Sequence, residues 1–175
     1  MKVLLPIVLL IALPAILAST PSLAQSSAGW QDDLANRLTG TWKLEGKVQG
    51  HDAHHEVTAE WVLNHQFLRI HEKTGAVAPA SEKPYEALWF LGYDDTSDRY
   101  VLHLLDIFGA RFSETLGYGA RAGNELRFIF EYLDGPFHTT FRWSAETGDW
   151  QWLLEQKDKT GKWTQFADLR LTPAK

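Results

Sequence analysis

Residues 126–155 read LRFIFEYLDGPFHTTFRWSAETGDWQWLLE. Leu126, Phe128, Phe130 and Tyr132 are spaced two apart, with Arg127 and Glu131 between them. Phe137, Thr139, Phe141 and Trp143 repeat the spacing against His138, Thr140, Arg142 and Ser144, and Trp150, Trp152 and Leu154 repeat it against Gln151 and Glu155. A period of two places one set of side chains on a dry face and the other on a wet one, the signature of a strand in a half-buried sheet. Asp134-Gly135-Pro136 and Thr147-Gly148 interrupt the pattern with residues that turn a chain. Gly148 and Gly161, 13 residues apart, each follow a threonine and shortly precede a tryptophan, which predicts two successive hairpins with glycine at the left-handed position.

The same period extends upstream. Trp42, Leu44, Gly46 and Val48 alternate with polar neighbours, and Val57, Ala59, Trp61 and Leu63 alternate with Glu56, Thr58 and Glu60. Further turns are expected at Gly50-His51-Asp52, at Asn64-His65, across residues 94–98 and across residues 119–124, with one longer Ala- and Pro-rich loop at 74–83. About ten strands result, with no helical crossover between them. Short connections make neighbours antiparallel, and a long antiparallel sheet loses its bare edges by closing into a barrel. An all-β, up-and-down antiparallel β-barrel is therefore expected, with a two-sheet sandwich as the alternative. Trp30, Leu34 and Leu38 recur every four residues before this region, with Asp32 and Asp33 early and Arg37 late, predicting a short helix over residues 29–38 that Gly40 ends.

The first residues speak to compartment. Lys2 is the only charge before Asp32, residues 3–17 are apolar apart from Pro6 and Pro14, and Ser22-Leu23-Ala24 offers small residues at the positions a signal peptidase reads. A membrane-spanning helix needs about 20 unbroken apolar residues, so a cleaved signal peptide over residues 1–24 is the expectation, with a periplasmic or secreted product and no membrane anchor after processing. The remaining 151 residues, 25–175, suit one domain. Without Lys2, 16 basic residues face 22 acidic ones, a net charge of −6 that does not favour nucleic acid. The absence of cysteine excludes disulfides, a lipid-anchoring cysteine, thiolate metal sites and thioether-linked haem. The core must rest on packing, for which there are 8 Trp, 5 Tyr and 9 Phe.

Gly40-Thr41-Trp42 after a short helix resembles the Gly-x-Trp opening of the lipocalins and the wider calycin superfamily. Phe67-Leu68, then Gly92-Tyr93-Asp94 with Tyr100 beyond the turn, resemble a group of bacterial lipocalin-like proteins of unestablished function. The resemblance implies that Trp42 packs at a closed barrel end against Arg170 of the last strand. It also implies a barrel able to enclose a small hydrophobic or amphipathic ligand, although large inward side chains could equally fill the space. Candidate lining residues are Trp61, Trp89, Phe128, Phe130, Phe141 and Trp152, with Tyr93 and Tyr132 as polar handles.

Residues 51–56, His-Asp-Ala-His-His-Glu, form the densest set of ligand-type side chains and could suit zinc or nickel, but read more simply as a hydrated hairpin loop. His71, His103 and His138 are single strand histidines. His138 shares a strand face with Arg142 and is the best candidate axial ligand for haem, against a plain surface position. Asp94, Asp95 and Asp98 lack the glycine and distal glutamate of an EF-hand and read as a turn. No Gly-x-Ser-x-Gly elbow, phosphate loop or Ser-x-x-Lys pair exists. No catalytic residue, cofactor or metal is assigned. The leading expectation is a non-enzymatic binder; a haem- or metal-dependent barrel enzyme and a structural protein with a filled core are the alternatives.

Overall fold

The computed structural model describes residues 29–174; the expected leader and its cleavage site lie outside the described residues. Ten strands follow one another: β1 (Gly40–Val48), β2 (His51–Val62), β3 (Phe67–Thr74), β4 (Glu86–Asp94), β5 (Arg99–Asp106), β6 (Gly117–Ala122), β7 (Glu125–Tyr132), β8 (Gly135–Ser144), β9 (Asp149–Lys157) and β10 (Trp163–Pro173). Each pairs antiparallel with its sequence neighbours, and β1 also pairs with β10, Leu44 opposite Leu171, so the sheet closes into an up-and-down barrel. Closure gives every strand a neighbour on both sides, although β5 meets β6 only over Tyr100, Val101 and Leu102. The alternation seen in the sequence becomes inside and outside: Leu126, Phe128 and Phe130 point inward and are buried, while Arg127 and Glu131 point out.

Some sequence expectations need correction. The helix is shorter than residues 29–38: α1 is only Asp33–Asn36. Asp32 is extended and its carboxylate accepts the Ala35 N–H at 2.6 Å, which starts the helix late. Arg37 and Leu38 then donate to Leu34 and Ala35, three residues back, tightening the last turn before the strand. A second short helix, α2 (Ala110–Ser113), stands in the connection between β5 and β6 and carried no sequence signal. The first hairpin turns at Gln49 and Gly50, both with positive φ, so His51 and Asp52 belong to β2. Leu63 is not an inward strand residue either; it starts a turn of three left-handed residues and is exposed. Gly148 and Gly161 do occupy left-handed turns, at φ 68° and 81°.

The helix seals one end. Leu34, Ala35 and Leu38 are buried against the barrel interior. The carbonyls that a helix end leaves without partners are taken by tryptophans: Trp42 Nε1 donates to Leu38 O at 2.7 Å and Trp150 Nε1 to Arg37 O at 3.2 Å. Trp61 Nε1 donates to the Asn36 side chain at 2.7 Å. On the far side, Tyr100 and Arg121 hold Asp32, and Arg121 also pairs with Asp33. The Gly-x-Trp tryptophan thus stands at the closed end, but its partner is the helix. Arg170 points outward with 62 % of its side chain exposed and pairs with Asp149 at 3.1 Å.

Candidate functional site

The barrel interior divides into two halves. Toward α1, large side chains fill it: Leu44, Leu68, Leu91, Phe128, Phe141, Trp150 and Leu171 are all essentially inaccessible. Toward the other end, several inward positions carry small residues, Ala53 on β2, Thr139 on β8 and Ala167 on β10. The volume these residues do not occupy is a cavity of about 1070 Å³ that opens at the end away from the helix. Its size is comparable to the upper range of small-molecule sites.

Aromatic rings form the cavity floor and walls. Trp89 and Trp152 meet edge-to-face at 5.1 Å, and Phe130 stacks on Tyr132 at 5.5 Å. Phe130 lies flat over Gly117 of β6, where an added Cβ would come within 2.6 Å of the ring. A glycine is required there for Phe130 to keep its place on the floor. Nearer the mouth stand Phe137 and Phe166, 5.2 Å apart, and Phe108, which lines the cavity while largely exposed.

Set into this apolar wall is a buried ion cluster. His55 on β2 and Glu72 on β3 are 8 % and 4 % exposed. His55 Nδ1 lies 2.7 Å from a Glu72 oxygen, and the other Glu72 oxygen accepts from Trp89 Nε1 at 3.3 Å. His55 Nε2 lies 3.2 Å from Glu82, which belongs to the connection between β3 and β4. Glu82 is fixed in turn by the His54 backbone N–H and ring, both at 3.0 Å. The connection is further tied down by Gly75 N–H donating to His54 O at 2.8 Å, so it forms a strap beside the mouth with Glu82 as its inner anchor. Burial works against the charge on His55, but Glu72 and Glu82 outweigh it and raise its pKa above the usual value. Burial likewise opposes ionisation of Glu82, and the donors from His54 and the charge of His55 overcome it, so its pKa is lowered. Asp106 at the mouth is shifted up by burial, with Glu72 adding to the effect, and Tyr132 is pushed up to about 12 by burial and by Asp106.

Among the described residues, three buried side-chain polar atoms have no hydrogen-bond partner: His65 Nε2, Thr139 Oγ1 and Trp152 Nε1. Thr139 and Trp152 both line the cavity and are 0 % and 1 % exposed. An unmade hydrogen bond at a buried group costs about 1–3 kcal/mol, so these two groups are a structural cost in the wall beside the cavity.

Of the residues singled out in the sequence, Trp89, Phe130, Tyr132 and Trp152 come together on the cavity surface. Phe128 and Phe141 lie below it in the filled half, 6.4 Å apart. Trp61 and Tyr93 are at the opposite end, packed around Trp30. The strand histidines face away from the cavity: His71 pairs with Glu86, His103 with the Ser113 carbonyl, and His138 stacks on Trp163 at 3.6 Å. Asp94 accepts from the Thr96 and Ser97 backbone in an Asx turn. Residues 51–56 are not a loop but the first half of β2, and alternation sends His55 inward. Among the described residues, no group of three His, Asp or Glu side chains is arranged to hold a metal ion.

The sequence reading took His55 only as part of the 51–56 loop and Thr139 only as an alternating strand residue, and overlooked Glu72 and Glu82. A signal existed for two of these four. Extending the inward set Val57, Ala59 back by two reaches His55, and extending Leu68, Ile70 forward by two reaches Glu72. Ionisable residues in phase with a buried face on paired strands mark a polar site inside a core.

A comparison with protein-family models found no match, and a comparison with curated proteins found none either. The chain is a closed ten-stranded antiparallel barrel, compatible with a lipocalin-like fold.

Proposed function

We propose that this protein is an exported, lipocalin-like carrier that holds a small amphipathic molecule in the open half of its barrel, in the periplasm or outside the cell. The observation that carries the reading is the cavity of about 1070 Å³, aromatic on its floor and open at one end only. A protein whose interior served stability alone would gain from larger side chains at Ala53, Thr139 and Ala167, because voids forfeit packing energy. The leader-like residues 1–24 support export.

The ion cluster argues for binding over catalysis. A histidine acting as general base needs one ring nitrogen free to face a substrate. Both nitrogens of His55 are engaged by carboxylates, Glu72 on one side and Glu82 on the other. The cluster holds the wall and the strap in place and leaves recognition to the rings.

N-phenyl-1-naphthylamine, an uncharged dye that brightens in apolar surroundings, tests the reading. Its fluorescence should rise on addition of the purified protein and saturate at one equivalent. At a hundredfold excess over Kd it should add about 2.7 kcal/mol to stability by mass action. Phe130→Asp sets an unpaired carboxylate on the cavity floor and should abolish uptake in protein that still folds by circular dichroism. A dye that neither brightens nor shifts Tm, with no small molecule found on the purified protein by native mass spectrometry, would refute the carrier.

A further inference from the structure

One carboxylate at the cavity stands without a counter-charge. Leu102, Leu104 and Asp106 are in phase on the inner face of β5, and Asp106 lies opposite Ala87 of β4, itself opposite Glu72 of β3. Both oxygens of Glu72 are engaged, one by His55 and one by Trp89. Asp106 differs. Among the described residues its one hydrogen bond comes from the Phe108 N–H at 2.9 Å, and no basic side chain acts on it. Burial and the charge of Glu72 hold its carboxyl above the ordinary value.

The surroundings of Asp106 are aromatic and open to the cavity. Asp106, Tyr85, Phe112 and Tyr132 are half-buried, Phe108 is 64 % exposed, and all five line the cavity. The rings form a series: Tyr85 to Phe108 at 6.1 Å, Phe108 to Phe112 at 6.5 Å and Phe112 to Tyr132 at 5.8 Å. The last two pairs meet at 84° and 83°, so the series turns corners and does not lie flat. The charge of Asp106 is felt by the phenols at both its ends, Tyr85 and Tyr132. Charges of both signs stand nearby. His55 stacks on Tyr85 at 5.6 Å, and Arg111 lies over Phe112 at 5.2 Å but is 75 % exposed and pairs with Asp134. Lys83 is exposed at the rim. Within the wall the balance is still acidic: Glu72, Glu82 and Asp106 exceed His54 and His55 by one charge even with both rings protonated. A cation beside Asp106 would answer that excess, and the faces of aromatic rings attract cations.

Building on the carrier reading, we infer that the ligand is a cationic amphiphile, an alkylated amine or quaternary ammonium, whose head sits at the mouth against Asp106 and the rings of Tyr85, Phe108, Phe112 and Tyr132. Its chain runs down to the floor at Trp89 and Phe130. Amphiphiles of the same chain length with a neutral or anionic head bind more weakly. The neutral head leaves Asp106 unpaired, and the anionic head meets the acidic wall.

Three probes of equal chain length separate the possibilities: decyltrimethylammonium, 1-decanol and decanoate, each below its micelle concentration and competed against N-phenyl-1-naphthylamine at pH 8. The ammonium should bind at least tenfold more tightly than both others. Asp106→Asn keeps the acceptor for the Phe108 N–H and removes the charge. It should lower the ratio of ammonium to alcohol affinity about tenfold. Phe108→Leu, at a largely exposed position on which the fold does not depend, should lower the same ratio several-fold. Because the ratio is read within one variant, a general change in cavity shape divides out. Dye and alcohol binding with no preference for the ammonium, or decanoate binding as tightly, would overturn the inference and leave the carrier standing. An ammonium preference that survives Asp106→Asn would overturn the assignment to Asp106 and leave it as a cap for the Phe108 N–H. One that survives Phe108→Leu would remove that ring from the site. Failure of every probe, the dye included, removes the carrier reading and this inference with it.

Discussion

Replacing Glu72 by Gln keeps the shape of the side chain and takes away its charge. Two interactions change. The contact with His55 Nδ1, at 2.7 Å, passes from ion pair to ordinary hydrogen bond, and Trp89 Nε1, at 3.3 Å, must compete for the single remaining acceptor oxygen. A hydrogen bond to a charged group contributes about 1.5–3 kcal/mol and a neutral one about 0.5–1.5 kcal/mol, so the loss near pH 6 should be about 2–4 kcal/mol. It should not reach the upper end of the 3–5 kcal/mol typical of a broken buried pair, because His55 can release its proton and leave no stranded charge. For a chain of this size, about 2–4 °C per kcal/mol translates that loss into a Tm decrease of about 4–16 °C. The pH dependence is the sharper signature. His55 has a raised pKa in the folded protein, so its contribution is complete below about pH 6.5 and disappears as pH rises through the folded value. Glu72→Gln should therefore cost the most near pH 6, and less once pH has risen through the folded value of His55, where only the charge on the Glu72 acceptor and not a full ion pair is lost. Urea unfolding followed by tryptophan fluorescence near pH 6 and near pH 9 measures both. A loss below 1 kcal/mol at pH 6, or the same loss at both pH values, would show that His55 and Glu72 do not share charge inside the barrel.

Trp42→Ala should destabilise by about 3–5 kcal/mol in the same assay, since Trp42 is buried and its indole caps the helix carbonyl of Leu38; a loss under 1 kcal/mol would mean that the helix does not depend on it. Glu82→Gln should loosen the strap, read as faster hydrogen exchange of the amides of residues 75–85, with the barrel strands unaffected; equal protection in both proteins would remove Glu82 as the anchor. The stability difference between wild type and Glu82→Gln should itself follow pH. Glu82 has a lowered folded pKa, so its contribution is present above about pH 4.5 and lost as pH falls through the folded value, while the partner charge on His55 is lost at high pH, giving a difference that peaks near pH 5–6. A difference that rises steadily to pH 9 would contradict this pairing. Under the export proposal, N-terminal sequencing of protein from the cell envelope should begin at Gln25, and recovery of intact Met1 in the membrane fraction would mean that residues 1–24 are an anchor.

What could be read in the chain and what could not follow from different physics. A period of two is local, so ten strands, their faces and the need to close the sheet are written in residues such as 126–132 and 137–143. The inside of a barrel is not local. Phe128 and Phe130 are indistinguishable in sequence, yet one is locked against Phe141 in the filled half and the other belongs to the cavity floor. The difference arises on other strands, from how many large residues project at the same height. Near α1 those are Leu44, Leu68 and Leu91; near the mouth they are Ala53 and Ala167. Trp61 and Tyr93 show the complementary limit. Both have the right type for a binding wall, but they lie near strand ends on the sealed side, where Trp30 gathers them into a lid. Arg170 fails for a local reason, since Leu169 and Leu171 take the inward positions on either side of it.

The two ends of the barrel also differ in how they are held, and under the carrier proposal the difference bears on which end a ligand would use. At the sealed end, indole N–H groups from β1 and β9 meet backbone carbonyls of the helix turn in neutral bonds, beside the Arg121 pairs with Asp32 and Asp33 on the outer side. At the open end, the strap is held through His54, His55 and Glu82, where the strength of the contact changes with protonation. Indole caps and the buried Leu34, Ala35 and Leu38 open only with the fold itself, whereas an ion cluster beside a wide mouth can yield while ten strands of backbone pairing stay intact. Under the carrier proposal, the motion that admits a ligand is therefore expected in residues 75–85 and not in α1. A disulfide joining α1 to the barrel should leave the rate of dye uptake unchanged, and one joining the strap to β2 should slow it. Equal slowing by both would mean that the ligand enters only through global opening of the barrel.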